Sequence, residues 1–158
     1  MYTVYLSLGA NIEPVQNLKT ALDRLQGAGK IMRISSIWQT SAVGSPGPDF
    51  INFSVLYATV LDYEFLKNNI LRKIEEGLGR IRTQNKNAPR TMDIDIIIWD
   101  GQVIDQDLWK KAFIALPTSE LLPELINGQT GETLAEVSKR LQRAGEFIIA
   151  PELASLLS

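Results

Sequence analysis

The 158-residue chain predicts an α+β fold, a ferredoxin-like sandwich with a mostly antiparallel sheet and helices packed on one face. Two observations carry that expectation. Segments with a period of two residues and segments with a helical period follow one another as strand, helix, strand, strand, helix, strand, which is the order of a split βαβ sandwich. A hydrophobic fraction of 45% over this length suits one core, hence a single domain over residues 1–158. No internal repeat or low-complexity stretch interrupts it.

Thr3 to Leu8 alternates with β-branched and aromatic residues and reads as the first strand, ended by Gly9-Ala10-Asn11. Pro14 suits a first helical turn, and Leu18, Ala21, Leu22 and Leu25 then fall on one helical face before Gly27 and Gly29. Ile31 to Thr40 reads as the second strand, and Gly44-Ser45-Pro46-Gly47-Pro48 as a loop. Phe50 to Leu61 alternates as the third strand and places Phe50 and Asn52 on one face. Asp62 is a candidate N-cap for a second helix whose Leu66, Ile70, Ile74 and Leu78 recur every fourth residue, closed by Gly77 and Gly79. Thr83 to Ala88 is polar and reads as an exposed loop, suited to act as a lid. Met92 to Trp99 is the fourth strand, Asp100-Gly101 a hairpin turn, and a short strand follows around Val103. Beyond Trp109 the pattern is less regular until Leu134, Val137 and Leu141 mark a third helix, and the tail from Ile148 carries no chemical signal.

Composition excludes whole classes of chemistry. With no cysteine and no histidine there is no disulfide framework, no thiolate or imidazole catalysis and no Cys or His metal site. A formal net charge of -2 offers no broad basic field for nucleic acid, and no apolar run approaches the about 20 residues that a membrane helix needs. The N-terminus opens directly into a strand pattern, so the expectation is a cytoplasmic protein without nucleic-acid or membrane partners. There is also no phosphate-binding Gly-x-x-x-x-Gly-Lys-Ser/Thr loop.

What remains is carboxylate, guanidinium and ammonium. Asp93 and Asp95, two apart on a strand whose other face carries Ile94, Ile96 and Ile98, project the same way about 7 Å apart at Cα, close enough to share one divalent cation or a pair. Arg80, Arg82 and Arg90 precede them and could pair with the acids or grip phosphates bridged to them. Phe50, an aromatic surface, and Asn52, an amide, share a strand face that would suit stacking and pairing with a planar heterocycle, although by sequence alone Phe50 reads as a core aromatic.

Read with its flanks, Ile74-Glu75 through Gly79-Arg80-Ile81-Arg82 to Ala88-Pro89-Arg90-Thr91-Met92-Asp93-Ile94-Asp95 resembles the signature of the 6-hydroxymethyl-7,8-dihydropterin pyrophosphokinase family. Ser7-Leu8-Gly9-Ala10-Asn11, Ser35-Ser36 through Thr40, Val43-Gly44 and Pro48-Asp49-Phe50-Ile51-Asn52 are similar to further motifs of that family, in the same order. The resemblance implies magnesium-dependent transfer of diphosphate from ATP to the pterin, giving AMP, in folate biosynthesis. It implies that Asp93 and Asp95 bind two magnesium ions and that Arg80 and Arg90 contact ATP phosphates, with Arg82 in the neighbouring loop. It also places the pterin pocket at Thr40, Val43, Phe50, Asn52 and Phe113, and a site-shaping helix acid at Glu75. The chain departs from the family pattern after the metal strand. A Pro-His segment is missing, Lys111 stands where an arginine would contact phosphate, and Asn87 replaces a tryptophan. Two rival expectations follow, a divergent relative with another pterin acceptor or phosphate donor and a non-catalytic pterin-binding module. A monomer or small homo-oligomer is expected.

Overall fold

The computed structural model describes residues 1–40, 50–79, 92–143 and 147–149. Its centre is β1 (Tyr2–Ala10), flanked by β4 (Phe50–Thr59) and β5 (Asp93–Trp99), and β5 carries the short β6 (Gln102–Val103). On the far side of β4 lie β2 (Lys30–Ile34) and β3 (Trp38–Thr40), and β3 in turn pairs with β7 (Phe147–Ile149). All these pairings are antiparallel. The α+β class thus holds, with the expected strands in a split βαβ arrangement.

The single strand expected over residues 31–40 is two. Ser35 interrupts it without leaving β4 unpaired. Its amide donates to the Ser54 carbonyl at 2.9 Å, and its Oγ accepts from the Ser54 amide at 2.9 Å in place of a backbone carbonyl.

One sheet face is covered by α1 (Pro14–Ala28) and by the helical run α2 (Tyr63–Phe65), a π-helical segment (Leu66–Leu71) and α3 (Arg72–Gly77). Leu18, Ala21, Leu22 and Leu25 of α1 pack there with Val4, Leu6, Leu8, Phe53, Val55 and Tyr57. Tyr57 Oη donates to the Leu25 carbonyl at 2.5 Å, and burial pushes its hydroxyl up to about 12. Asp62 caps the second run as expected, accepting from the Phe65 amide at 2.8 Å. The π turn inserts a residue, so the fully buried position after Leu66 is Leu71 while Ile70 is only partly buried.

The helices do not all lie on one face. The opposite face is covered by α4 (Ala112–Leu121), against which α5 (Leu134–Arg143) packs. α4 falls in the stretch whose pattern looked irregular, and the reason is burial. Ala112, Ile114, Ala115, Leu116, Pro117, Thr118 and Leu121 are all buried, so no polar stripe marks the helix. β5 also departs from simple alternation. Leu6 pairs with Ile96 and Tyr5 with Ile98, leaving Ile97 as a bulge. Ile94 and Ile96 therefore join the α1 side, whereas Ile97 and Ile98 pack on the other with Tyr5, Leu108, Ile114 and Leu134, correcting the expectation that Ile98 shares a face with Ile94. The Asp100-Gly101 hairpin forms as expected, with φ of 47° and 90°.

Candidate active site

Antiparallel register lines up the polar residues of the α4-facing side in rows across the sheet. Trp38 on β3 pairs with Asn52 on β4, Asn52 with Gly9 on β1, and Gly9 with Asp93 on β5. The neighbouring row runs Ser54, Ser7, Asp95. Residues paired in this way point to the same side. Gly9 is the low point between Asn52 and Asp93. A Cβ there would stand 2.6 Å from Asn52 Oδ1, so the carboxamide lies over the glycine, on the side of the acids.

Asn52 is buried, at 5% exposure, Phe50 half-buried and Phe113 exposed at 41%. Neither ring belongs to a core cluster. Thr40 stands opposite Phe50 in the β3–β4 register. The structure thus brings Phe50, Asn52, Asp93 and Asp95 onto one sheet face, and α4, which covers part of that face, carries Phe113.

Beyond Asp95 the outer edge of β5 is unpaired by β6, which reaches only Ile98 and Trp99. A cleft of about 360 Å³ opens there, between that edge and the helical run. Tyr63, Lys67, Arg72, Glu75, Asp95, Ile96 and Asp105 are among its lining residues. Lys67 Nζ lies 5.7 Å from the centroid of the Tyr63 ring, a cation–π contact that orients it. Glu75 is buried, and its Oε2 accepts from the Ile94 amide at 2.9 Å. That hydrogen bond caps the peptide between the two aspartates and fixes the strand edge on which they sit. Asp95 belongs to both places, the polar row of the sheet and the wall of the cleft.

Lys111 is exposed at the N-terminal boundary of α4 and does not line the cleft. Val43, Arg80, Arg82, Arg90 and the lid expected at residues 83–88 lie outside the described residues. Sequence reasoning missed Lys67 and Arg72 because cations on an exposed helix flank look like any solvated face. It also missed Gly9 as a seat for Asn52, which only register across strands could reveal.

An α+β sandwich in which two carboxylates separate an amide-and-aromatic face from a cleft with cationic side chains is the layout of a protein that brings two small ligands together. The model of the family described as 7,8-dihydro-6-hydroxymethylpterin-pyrophosphokinase matches residues 5–123. A 2-amino-4-hydroxy-6-hydroxymethyldihydropteridine pyrophosphokinase from Synechocystis sp. is 30% identical over 94% of this chain and 80% of its own length, and one from Aquifex aeolicus is 30% identical over 80% and 84%. Among solved structures, the Plasmodium falciparum HPPK-DHPS with pteroate superposes with a TM-score of 0.69 at 12% identity, over 90% of this chain and 42% of that one. The chain thus spans under half of that longer protein. It belongs to the 6-hydroxymethyl-7,8-dihydropterin pyrophosphokinase family.

Proposed function

We propose that the chain, as a single domain, transfers diphosphate from ATP to 6-hydroxymethyl-7,8-dihydropterin with release of AMP, a step of folate biosynthesis. The observation that carries this reading is the position of Asp93 and Asp95 between two ligand-sized surfaces. The pterin lies on the sheet face, stacked between Phe50 and Phe113, with its edge paired to Asn52 and bordered by Thr40 and Val43. The nucleotide enters the cleft along β5, where Lys67 and Arg72 face it and Arg80, Arg82, Arg90 and Lys111 add positive charge towards the phosphates. Transfer of this kind depends on positioning and on offsetting negative charge, and it needs no protein nucleophile.

The donor set fits magnesium. Among the described residues no group of three or more carboxylates forms a cage, and Mg²⁺ is held by one or two carboxylates with the remaining positions left to phosphate and water. Asp93 and Asp95 would hold two such ions, which when bound supply charge neutralisation at the transferred phosphates. Glu75 keeps the strand between them from shifting.

A direct test is to incubate the protein with ATP, magnesium and 6-hydroxymethyl-7,8-dihydropterin and to follow the nucleotide product. Stoichiometric AMP with diphosphorylated pterin is expected. ADP as product, or AMP released without the pterin, would sink the reading.

A further inference from the structure

Three consecutive residues near the end of α4 each bond a different element. Thr118 Oγ1 and Ser54 Oγ of β4 are 2.7 Å apart, with Thr118 1% and Ser54 0% exposed. Ser119 Oγ is 3.1 Å from Ser138 Oγ of α5. Glu120 forks across to the start of β3, where Oε1 accepts from the Ser36 amide at 3.0 Å and Oε2 from Trp38 Nε1 at 2.6 Å. Hydrophobic contact alone would let α4 slide on the sheet, because it is non-directional. These hydrogen bonds are directional and fix both the axial and the rotational setting of the helix.

The elements so joined are those that carry the acceptor site. Ser54 lies two residues beyond Asn52 on the same strand face, and Trp38 pairs directly with Asn52. Ala112 and Leu116 of α4 pack on Trp38, and Phe113 follows Ala112, about 7.5 Å along the helix axis from Thr118. A shift of the clamped end therefore moves the aromatic ring relative to the amide.

We propose that Thr118, Ser119 and Glu120 form a polar clamp that sets the distance between Phe113 and Asn52, and so determines the affinity for the pterin without touching it. The inference rests on the proposed pterin site. Thr118 and Glu120 are positioning residues. The effect is bounded by what a misplaced ring can lose, about two- to twelvefold in affinity for one aromatic stack.

Calorimetric titration of 6-hydroxymethyl-7,8-dihydropterin, with magnesium and a non-hydrolysable ATP analogue present, reads the acceptor site, and titration of the analogue alone reads the cleft. Thr118→Val, which keeps the shape but removes the hydroxyl, is expected to weaken pterin binding about fivefold with nucleotide binding unchanged. Thr118→Ser restores the hydroxyl and is expected to restore affinity. Glu120→Ala, at the exposed end of the clamp, gives a smaller loss in the same direction and remains informative if the buried variant fails to fold. Pterin affinity equal to wild type in both Glu120→Ala and a folded Thr118→Val, or an equal loss of pterin and nucleotide binding, overturns the clamp. Wild-type protein that takes up no pterin overturns the underlying function instead.

Discussion

Gly9→Ala tests the seat of Asn52. Gly9 is extended within β1 and has no positive φ, so alanine fits its backbone without strain. The added methyl, however, would stand 2.6 Å from Asn52 Oδ1, about 1 Å inside comfortable van der Waals separation. The backbone is held by pairing on both sides, to Asn52 and to Asp93, so the carboxamide rotates away. In the proposed complex the pterin edge then loses its amide partner, which costs about 1–3 kcal/mol, or about five- to 150-fold in affinity. Pterin titration of wild type, Gly9→Ala, Asn52→Ala and the double variant forms a cycle. Once Asn52 is alanine, the methyl at position 9 has nothing to displace, so the double variant is expected to match Asn52→Ala alone. Gly9→Ala binding pterin like wild type, or penalties that simply add in the double variant, would refute the proposed seat.

Three further outcomes follow from the geometry. Asp95→Asn should lower kcat by more than about 100-fold, the upper end for groups that merely support a metal ligand, while leaving the thermal midpoint near wild type, because the side chain is exposed; magnesium titration of turnover checks this. Arg72→Ala should raise the KM for ATP about two- to fivefold, the scale of an exposed charge contact, with pterin affinity unchanged in calorimetry. Tyr57 titrates near 10.0 when unfolded and at about 12 when folded, so its protonated form is favoured by the fold. Its stabilising contribution is complete below pH 10 and falls away as pH rises through 12, and alkaline denaturation curves of Tyr57→Phe should lack that pH-dependent part.

Much of the sheet was legible because β1 and β4 alternate large apolar side chains on the α1 side, Leu6, Leu8, Phe53 and Val55, with smaller or polar ones such as Ser7, Gly9, Asn52 and Ser54 on the other, even though both faces are largely buried. Asp93 and Asp95, and likewise Phe50 and Asn52, could be assigned to common faces from spacing alone. That periodicity gives no warning of an inserted residue, and Ile97 therefore reversed the side expected for Ile98. It is equally silent where a helix is buried round most of its circumference, which hid α4 and with it the setting of Phe113. The π turn after Leu66 puts Leu71 rather than Ile70 at the fully buried position, a change no fixed period anticipates, while Ile74 is buried as expected. Cross-strand partners such as Gly9 and Asn52 lie far apart in sequence, and their contact emerges only once register is known.

The pairing of β7 with β3 bears on how the molecule is made. Trp38 finds its outer partner, Ile149, only after nearly the whole described chain has been synthesised. Until then the β3 edge has hydrogen-bonding groups open to any other extended segment, including β7 of a neighbouring nascent chain. Exchange of β7 between two copies would satisfy the same ladder.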